Sequence, residues 1–185
     1  MKYRIEKDSL GEKKVPADVY YGIQTLRAVE NYPISGFRAH PLLIRAMAMI
    51  KKAAAQANRE LGLVDEKRAG AIITAADEVI AGKLRDQFVV DVYQAGAGVS
   101  FHMNTNEVIA NRAIEILGGK RGQYELCHPN DHVNFGQSTN DVIPTGMRLA
   151  AVLLIEELLT ELERLRAALA RKGKEFDGID RKSVV

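Results

Sequence analysis

Gln137-Ser138-Thr139-Asn140-Asp141 sets three neutral hydrogen-bonding side chains in a row, with Pro144 and Thr145 just behind, immediately ahead of a long helical pattern. Two hydroxyls and an amide donate to an anion without carrying charge themselves. The backbone N–H groups of a helix start point the same way, and the positive end of the helix dipole adds to them. Such a cluster suits a carboxylate whose negative charge grows during a reaction. Ser, Thr, Asn and Asp are also the preferred helix caps, so the same residues serve a purely structural role equally well.

A second loop has the same character. Ala95-Gly-Ala-Gly-Val-Ser-Phe-His-Met103 opens onto Asn104-Thr-Asn-Glu107, again neutral donors at a helix start. Two such loops in one small chain favour a site for a small polycarboxylate. Gly96-Ala97-Gly98 is not a dinucleotide fingerprint, because the third glycine position holds Phe101 and no βαβ pattern surrounds it. His128 and His132 stand four apart, but Pro129, Asn130 and Asp131 between them read as a turn rather than a helical zinc pair. No nucleophile elbow and no Ser-His-Asp arrangement is present.

The elements that must position these loops read as follows. Residues 1–40 are expected to be irregular, punctuated by Leu10-Gly11, Val15-Pro16, Tyr32-Pro33, Ser35-Gly36 and His40-Pro41. A helix is predicted from Pro41 to about Leu61, with Leu43, Met47, Ile50, Ala54 and Ala57 inward and Gly62 as its stop. A second is predicted from Asp65, its cap, to Ala81, burying Ala69, Ile72, Ile73, Ala76, Val79 and Ile80, and ended by Gly82. Residues 88–93 are β-prone and suggest a short strand or extended run. A third helix is expected from Met103 or Asn104 to Leu117, closed by Gly118-Gly119. From Asn140 to about Lys172 the pattern is helical throughout, with Leu158, Leu162, Leu165 and Leu169 on one stripe that calls for partner helices.

Composition narrows the class. Hydrophobic residues make up 46% of the 185 and charged residues 27%, ordinary values for a globular protein. A formal net charge of +2 gives no footprint for nucleic acid, and Lys13-Lys14 and Lys51-Lys52 read as isolated, solvated pairs. A lone Cys127 admits no internal disulfide and suits a reducing compartment. The charged start, Met1 to Asp8, lacks the apolar run of a signal peptide, and no run approaches the ~18 apolar residues of a membrane span. A soluble, cytoplasmic protein is expected, with no nucleic-acid and no membrane partner.

At this point the motifs carry a resemblance. Gln94 to Asn111 resembles the first signature of the aspartase/fumarase superfamily, and Pro129 to Thr145 resembles the second. The opening, from Arg4-Ile-Glu-Lys-Asp through Val15-Pro-Ala-Asp-Val-Tyr-Tyr-Gly to Thr25-Leu-Arg-Ala-Val-Glu-Asn31, is similar to the ammonia-lyase branch that acts on aspartate. Gln-Ser-Thr-Asn-Asp leans the same way, since fumarases usually carry Gln-Ser-Ser-Asn-Asp. The likeness spans about residue 4 to about 179.

The resemblance implies an all-α fold: an N-terminal, mostly helical lyase domain over residues 1–139, and over 140–185 the truncated start of a central helical bundle. It implies reversible elimination of ammonia from L-aspartate to give fumarate, through an aci-carboxylate whose added charge the enzyme stabilises. A fumarase-type hydro-lyase, or a non-catalytic assembly fragment, are the alternatives. Ser138, Thr139 and Asn140 match substrate-binding positions, as does Val99, where a threonine is expected. His128, Asn130 and Asp131 match a second dicarboxylate site, although Glu125 stands where that site has an arginine. His102 replaces a usual asparagine, with bulky Phe101 beside it. No organic cofactor is implied; magnesium is a family activator. The bundle implies a homo-oligomer, a tetramer at full length, with loops from several subunits at each site.

After Glu175-Phe-Asp-Gly-Ile179 the family pattern leads towards a Gly-Arg-Thr-His motif and a later Gly-Ser-Ser loop carrying the catalytic serine base. This chain reads Asp180-Arg-Lys-Ser-Val-Val185 instead. No catalytic residue and no metal ligand is identified among the 185, and no lyase turnover is expected from this chain alone.

Overall fold

The computed structural model describes residues 2–179. The Asp180–Val185 run, where the resemblance breaks off, lies outside the described residues. The chain divides into two compact units, residues 1–150 and 151–185. The bulk of the fold is all-α, as expected. Its first unit holds α1 (Ile23–Asn31), α2 (Pro41–Glu60), α3 (Glu66–Ile80), α4 (Val99–Ile116) and the opening of α5 (Thr139–Glu175), with a 3-10 turn at Arg85–Gln87 and a π-helical turn at Pro129–Val133.

Residues 2–40 are only partly irregular: 17–22 and 32–40 are loop, but a hairpin and a helix stand where none was expected. Tyr3–Asp8 (β1) pairs antiparallel with Gly11–Pro16 (β2), with Glu6 opposite Lys13 and Lys7 opposite Glu12. Gly11, at φ 108°, and the Asp8 side chain, accepting from Leu10 N at 2.9 Å, close the tight turn. Strands so rich in Lys and Glu carry little β-propensity, and their charges pair outside the ladder, Glu6 with Arg4 and Lys13 with Glu30, which a hydrophobic pattern cannot show. Arg4 locks the hairpin to the chain behind it, donating to the carbonyls of Pro16, Val19 and Tyr21 and pairing with buried Glu6 at 2.7 Å.

α1 has no side-chain cap of its own. Glu107 of α4 accepts from the amides of Gly22 (2.8 Å), Gln24 (3.0 Å) and Thr25 (3.0 Å), and Glu6 accepts from Ile23 N (2.8 Å). Two carboxylates from distant parts of the chain thus satisfy the orphan donors of the helix start.

α2 and α3 form as the sequence directs. Pro41 begins α2, and the Asp65 carboxylate caps α3 by accepting from Lys67 N and Arg68 N at 3.1 and 3.0 Å. Gly62 and Gly82, at φ 69° and 89°, take the left-handed conformation that ends each helix. The buried face of α2 is rotated from the expected one: Ile44, Met47, Ala48, Lys51 and Ala55 point inward, while Ala57 is exposed. α3 packs on both α2 and α4, and Ile72, Ala75, Val79, Val108, Ile109 and Ile114 fill the core between them.

Residues 88–93 form no strand. A single bridge joins Asp91 to Arg38, and Phe88 turns inward against Phe101, ring centroids 6.2 Å apart. The Asp91 carboxylate accepts from Ser35 N, Gly36 N and Tyr93 N at 2.7–2.9 Å, so side-chain capping replaces a ladder here. α4 begins at Val99, four residues before the expected Met103, because Gly98 at φ 88° turns the chain and Gln94 Oε1 accepts from Phe101 N at 2.6 Å.

The opening turns of α5 bury Val142, Gly146 and Ala150. Gly146 lies against α2, where a Cβ would stand 2.8 Å from Met47 Sδ. In the second unit the helix carries Leu154, Ile155, Leu158, Leu159, Leu162, Leu165 and Leu169 at 44–64% exposure, interleaved with ion pairs such as Glu163–Arg166. Among the described residues, no helix is long and apolar enough to cross a membrane.

Candidate functional site

The two polar loops meet. Ser138 stands before α5, its Oγ accepting from Asn140 N at 3.3 Å and its carbonyl from Asp141 N and Val142 N. It is therefore a cap, exposed at its tip. Thr139, the next residue, reaches back to α4, where its Oγ1 lies 2.7 Å from His102 Nδ1. Asn140 is exposed and lines an open cavity of about 710 Å³ together with Gln94, Gly96, Ala97, Gly98 and Ile143. The close approach needs glycine: a Cβ on Gly98 would press to 3.1 Å of Ile143. Val99 opens α4 at 46% exposure, and neither it nor Ser138 nor Thr139 lines that cavity.

Behind Thr139 lies a group the sequence reading placed in solvent. Lys51 is fully buried, at 0% exposure, and His102 is 2% exposed. The Lys51 ammonium lies 2.7 Å from His102 Nε2 and donates to Asn134 Oδ1 and Gln137 Oε1, each at 2.8 Å. Burial drives the Lys51 amine down to about 7. Burial, and then the neighbouring Lys51 charge, bring His102 down to about 3, so the imidazole is neutral near pH 7. The signal that could have found Lys51 is its phase: it follows Ile44 and Met47 by seven and four residues on one helical face.

Of the residues expected at a second site, His128 and Asn130 line one cavity and Asp131 does not. His128 caps the π-helical turn, its Nδ1 accepting from Asn130 N and Asp131 N at 3.2 Å. His128 N donates to His132 Nδ1 at 2.7 Å, so the Nδ1 atom of each histidine serves the turn itself. His128 and Asn130 line a second cavity, about 640 Å³, alongside Lys7, Arg27 and Ser100, whereas Asp131 is exposed beside it. Lys7 lines the same cavity, Arg27 there is already paired with Asp8 at 2.8 Å, and Glu125 does not line it. Among the described residues, no group of three or more His, Cys, Asp or Glu side chains is placed to hold a metal ion.

The start of α5 thus shares a cavity wall with the glycine loop ahead of α4, while Asn104, Thr105 and Asn106, expected as donors at the start of α4, are buried inside that helix. A family model described as a lyase matches residues 11–180. The fumarate hydratase class II of Halobacterium salinarum is 58% identical over 178 residues, covering 96% of this chain and 38% of its own length. The aspartate ammonia-lyase of Bacillus subtilis is 52% identical over 177 residues, covering 96% and 37%. The crystal structure of a fumarate lyase:delta crystallin from Brucella melitensis bound to cobalt superposes with a TM-score of 0.91 at 55% identity, covering 94% of this chain and 38% of that one. The chain belongs to the aspartase/fumarase family of lyases. It spans less than two-fifths of the length of these relatives.

Proposed function

We propose that the chain is the amino-terminal, substrate-gripping portion of an aspartate ammonia-lyase. The observation that carries this reading is the junction of the two loops: Thr139 is fixed at 2.7 Å by His102, and Asn140 shares a cavity wall with the glycine loop. Neutral donors at the start of a long helix fit a carboxylate, and their hydrogen bonds strengthen as the aci-carboxylate gains charge before ammonia leaves. Ser138, Thr139 and Asn140 are the proposed substrate donors. Val99 offers only a methyl surface where a hydroxyl is expected, so more of the grip falls on α5. His128 and Asn130, with Lys7 and Arg27 nearby, are the proposed accessory dicarboxylate site.

Thr139 itself favours the ammonia-lyase branch, where fumarases usually have serine. The 58% identity to a relative named as a fumarate hydratase favours the second reading, a hydro-lyase. Both share fumarate and the same charged intermediate. The exposed leucine face of residues 151–179 supports assembly with further copies of the chain, through helices packed as in a bundle.

Two measurements test the reading. The purified chain with L-aspartate is expected to give no fumarate by ultraviolet absorbance; clear turnover would contradict the absence of a base. Supplying in trans the carboxy-terminal part of the Bacillus subtilis relative that this chain does not span is expected to restore ammonia release from L-aspartate above malate formation from fumarate. Malate formation in excess would overturn the ammonia-lyase assignment in favour of the hydro-lyase.

A further inference from the structure

Lys51, His102 and Thr139 form one hydrogen-bonded line from the core to the start of α5, and its polarity can be worked out from the groups around it. The side-chain nitrogens of Asn134 and Gln137 are already committed. Asn134 Nδ2 donates to the Gln137 carbonyl at 3.2 Å, and Gln137 Nε2 donates to the Val133 carbonyl at 3.0 Å. Their oxygens must then face Lys51, as they do at 2.8 Å. In its charged form, held below about pH 7, Lys51 has three protons and no lone pair. Two protons go to Asn134 and Gln137, and the third points along the 2.7 Å contact to His102 Nε2. That nitrogen therefore carries the lone pair, and the proton of the neutral ring sits on Nδ1. Nδ1–H in turn donates to Thr139 Oγ1 at 2.7 Å. With its oxygen occupied as an acceptor from within, the Thr139 hydroxyl has its own proton left to give outward.

We propose that Lys51 and His102 are positioning residues, a buried relay that fixes the Thr139 hydroxyl as a hydrogen-bond donor to the substrate carboxylate. The proposal rests on the reading of Thr139 as a dicarboxylate ligand, and it goes beyond it by saying what sets the direction of that bond. The opposite polarity would spoil the site: a proton on Nε2 would make Nδ1 an acceptor, draw the hydroxyl proton inward and turn a lone pair towards the anion. It also accounts for the exchange of asparagine for histidine at position 102. An asparagine side chain offers the same pair of functions, an oxygen to accept from Lys51 and an amide to donate to Thr139. Leucine offers neither.

The test has two arms. Imidazole ¹⁵N spectra of the 185-residue chain at pH 6, below the value to which burial brings Lys51, report the His102 tautomer directly. The expected result is a proton on Nδ1 and a hydrogen-bonded lone pair on Nε2, lost in Lys51→Met. A protonated Nε2, or a tautomer unchanged in Lys51→Met, overturns the relay. Where Lys51→Met does not fold, the wild-type tautomer and the second arm decide. In that arm succinate is titrated into wild type, His102→Asn and His102→Leu, followed by the Thr139 amide resonance. Binding within threefold of wild type for His102→Asn, and weaker by tenfold or more for His102→Leu, is expected. Equal binding by all three overturns the positioning role. An Nδ1–H tautomer with no succinate response in wild type overturns the dicarboxylate reading of Thr139 and leaves the relay standing.

Discussion

A methyl group at Gly22 has no room, and the consequence can be worked out from the joint around it. Gly22 sits at φ −114°, a conformation open to any residue, so the backbone is not the obstacle. A Cβ there would collide with Tyr124 Oη and lie 2.8 Å from the Glu107 carboxylate. Neither neighbour is free to yield. Tyr124 Oη donates to Glu6 Oε2 at 3.0 Å, and Glu107 holds the Gly22, Gln24 and Thr25 amides that start α1. Overpacking of this kind costs about 1–3 kcal/mol. Displacing Tyr124 sacrifices a hydrogen bond to a charged group, roughly 1.5–3 kcal/mol more. Gly22→Ala should therefore destabilise the chain by about 3–5 kcal/mol, a large share of the 5–15 kcal/mol typical of a whole domain. Urea unfolding followed by circular dichroism would show the midpoint falling by about 2 M. Tyr124→Phe removes the oxygen that the new methyl meets, at the cost of its bond to Glu6. The double variant should thus recover about 2 kcal/mol relative to additivity. A Gly22→Ala midpoint indistinguishable from wild type, or strict additivity with Tyr124→Phe, would refute the reasoning.

Three further outcomes are expected. His102 titrates near 3 when folded and near its ordinary 6.5 when unfolded, so the unfolded chain binds the extra proton across that window and stability rises with pH there, by up to about 1.4 kcal/mol per unit. Subtracting the stability of His102→Asn across this range isolates the slope, and a flat difference argues against a buried neutral imidazole. Cys127 is fully buried and its thiol is pushed up to about 12, so a disulfide reagent should leave it unlabelled at pH 8 until urea unfolds the chain; prompt labelling of the native protein would contradict its burial. Leu158→Glu combined with Leu165→Glu places charge on the exposed apolar face of the second unit and should turn a self-associating species into a monomer by sedimentation, whereas a wild type that is already monomeric removes the argument for assembly through that face.

What the sequence determined by itself is what neighbouring residues decide among themselves. Pro41, Asp65, Gly62 and Gly82 mark where α2 and α3 start and stop, because caps and left-handed turns are made by residues a few positions apart. The donors at the start of α5 are legible for the same reason, whereas Asn104, Thr105 and Asn106, expected at the start of α4, lie buried within it because the helix begins at Val99. Tertiary structure decided the rest. The hairpin at residues 3–16 depends on its backbone pairing and on Arg4 reaching carbonyls twelve to seventeen residues away. α1 exists because Glu6 and Glu107 converge on its first amides, and no local signal carries that. Lys51 shows the difference most clearly. In sequence it is one of two adjacent lysines, and solvent is the default for both. Lys52 meets Asp77 at the surface, while Lys51, one step further round the helix, is sealed in by acceptors from residues 102, 134 and 137. An ammonium is tolerated in a core only when every proton finds a partner, and only the folded chain could bring those three together.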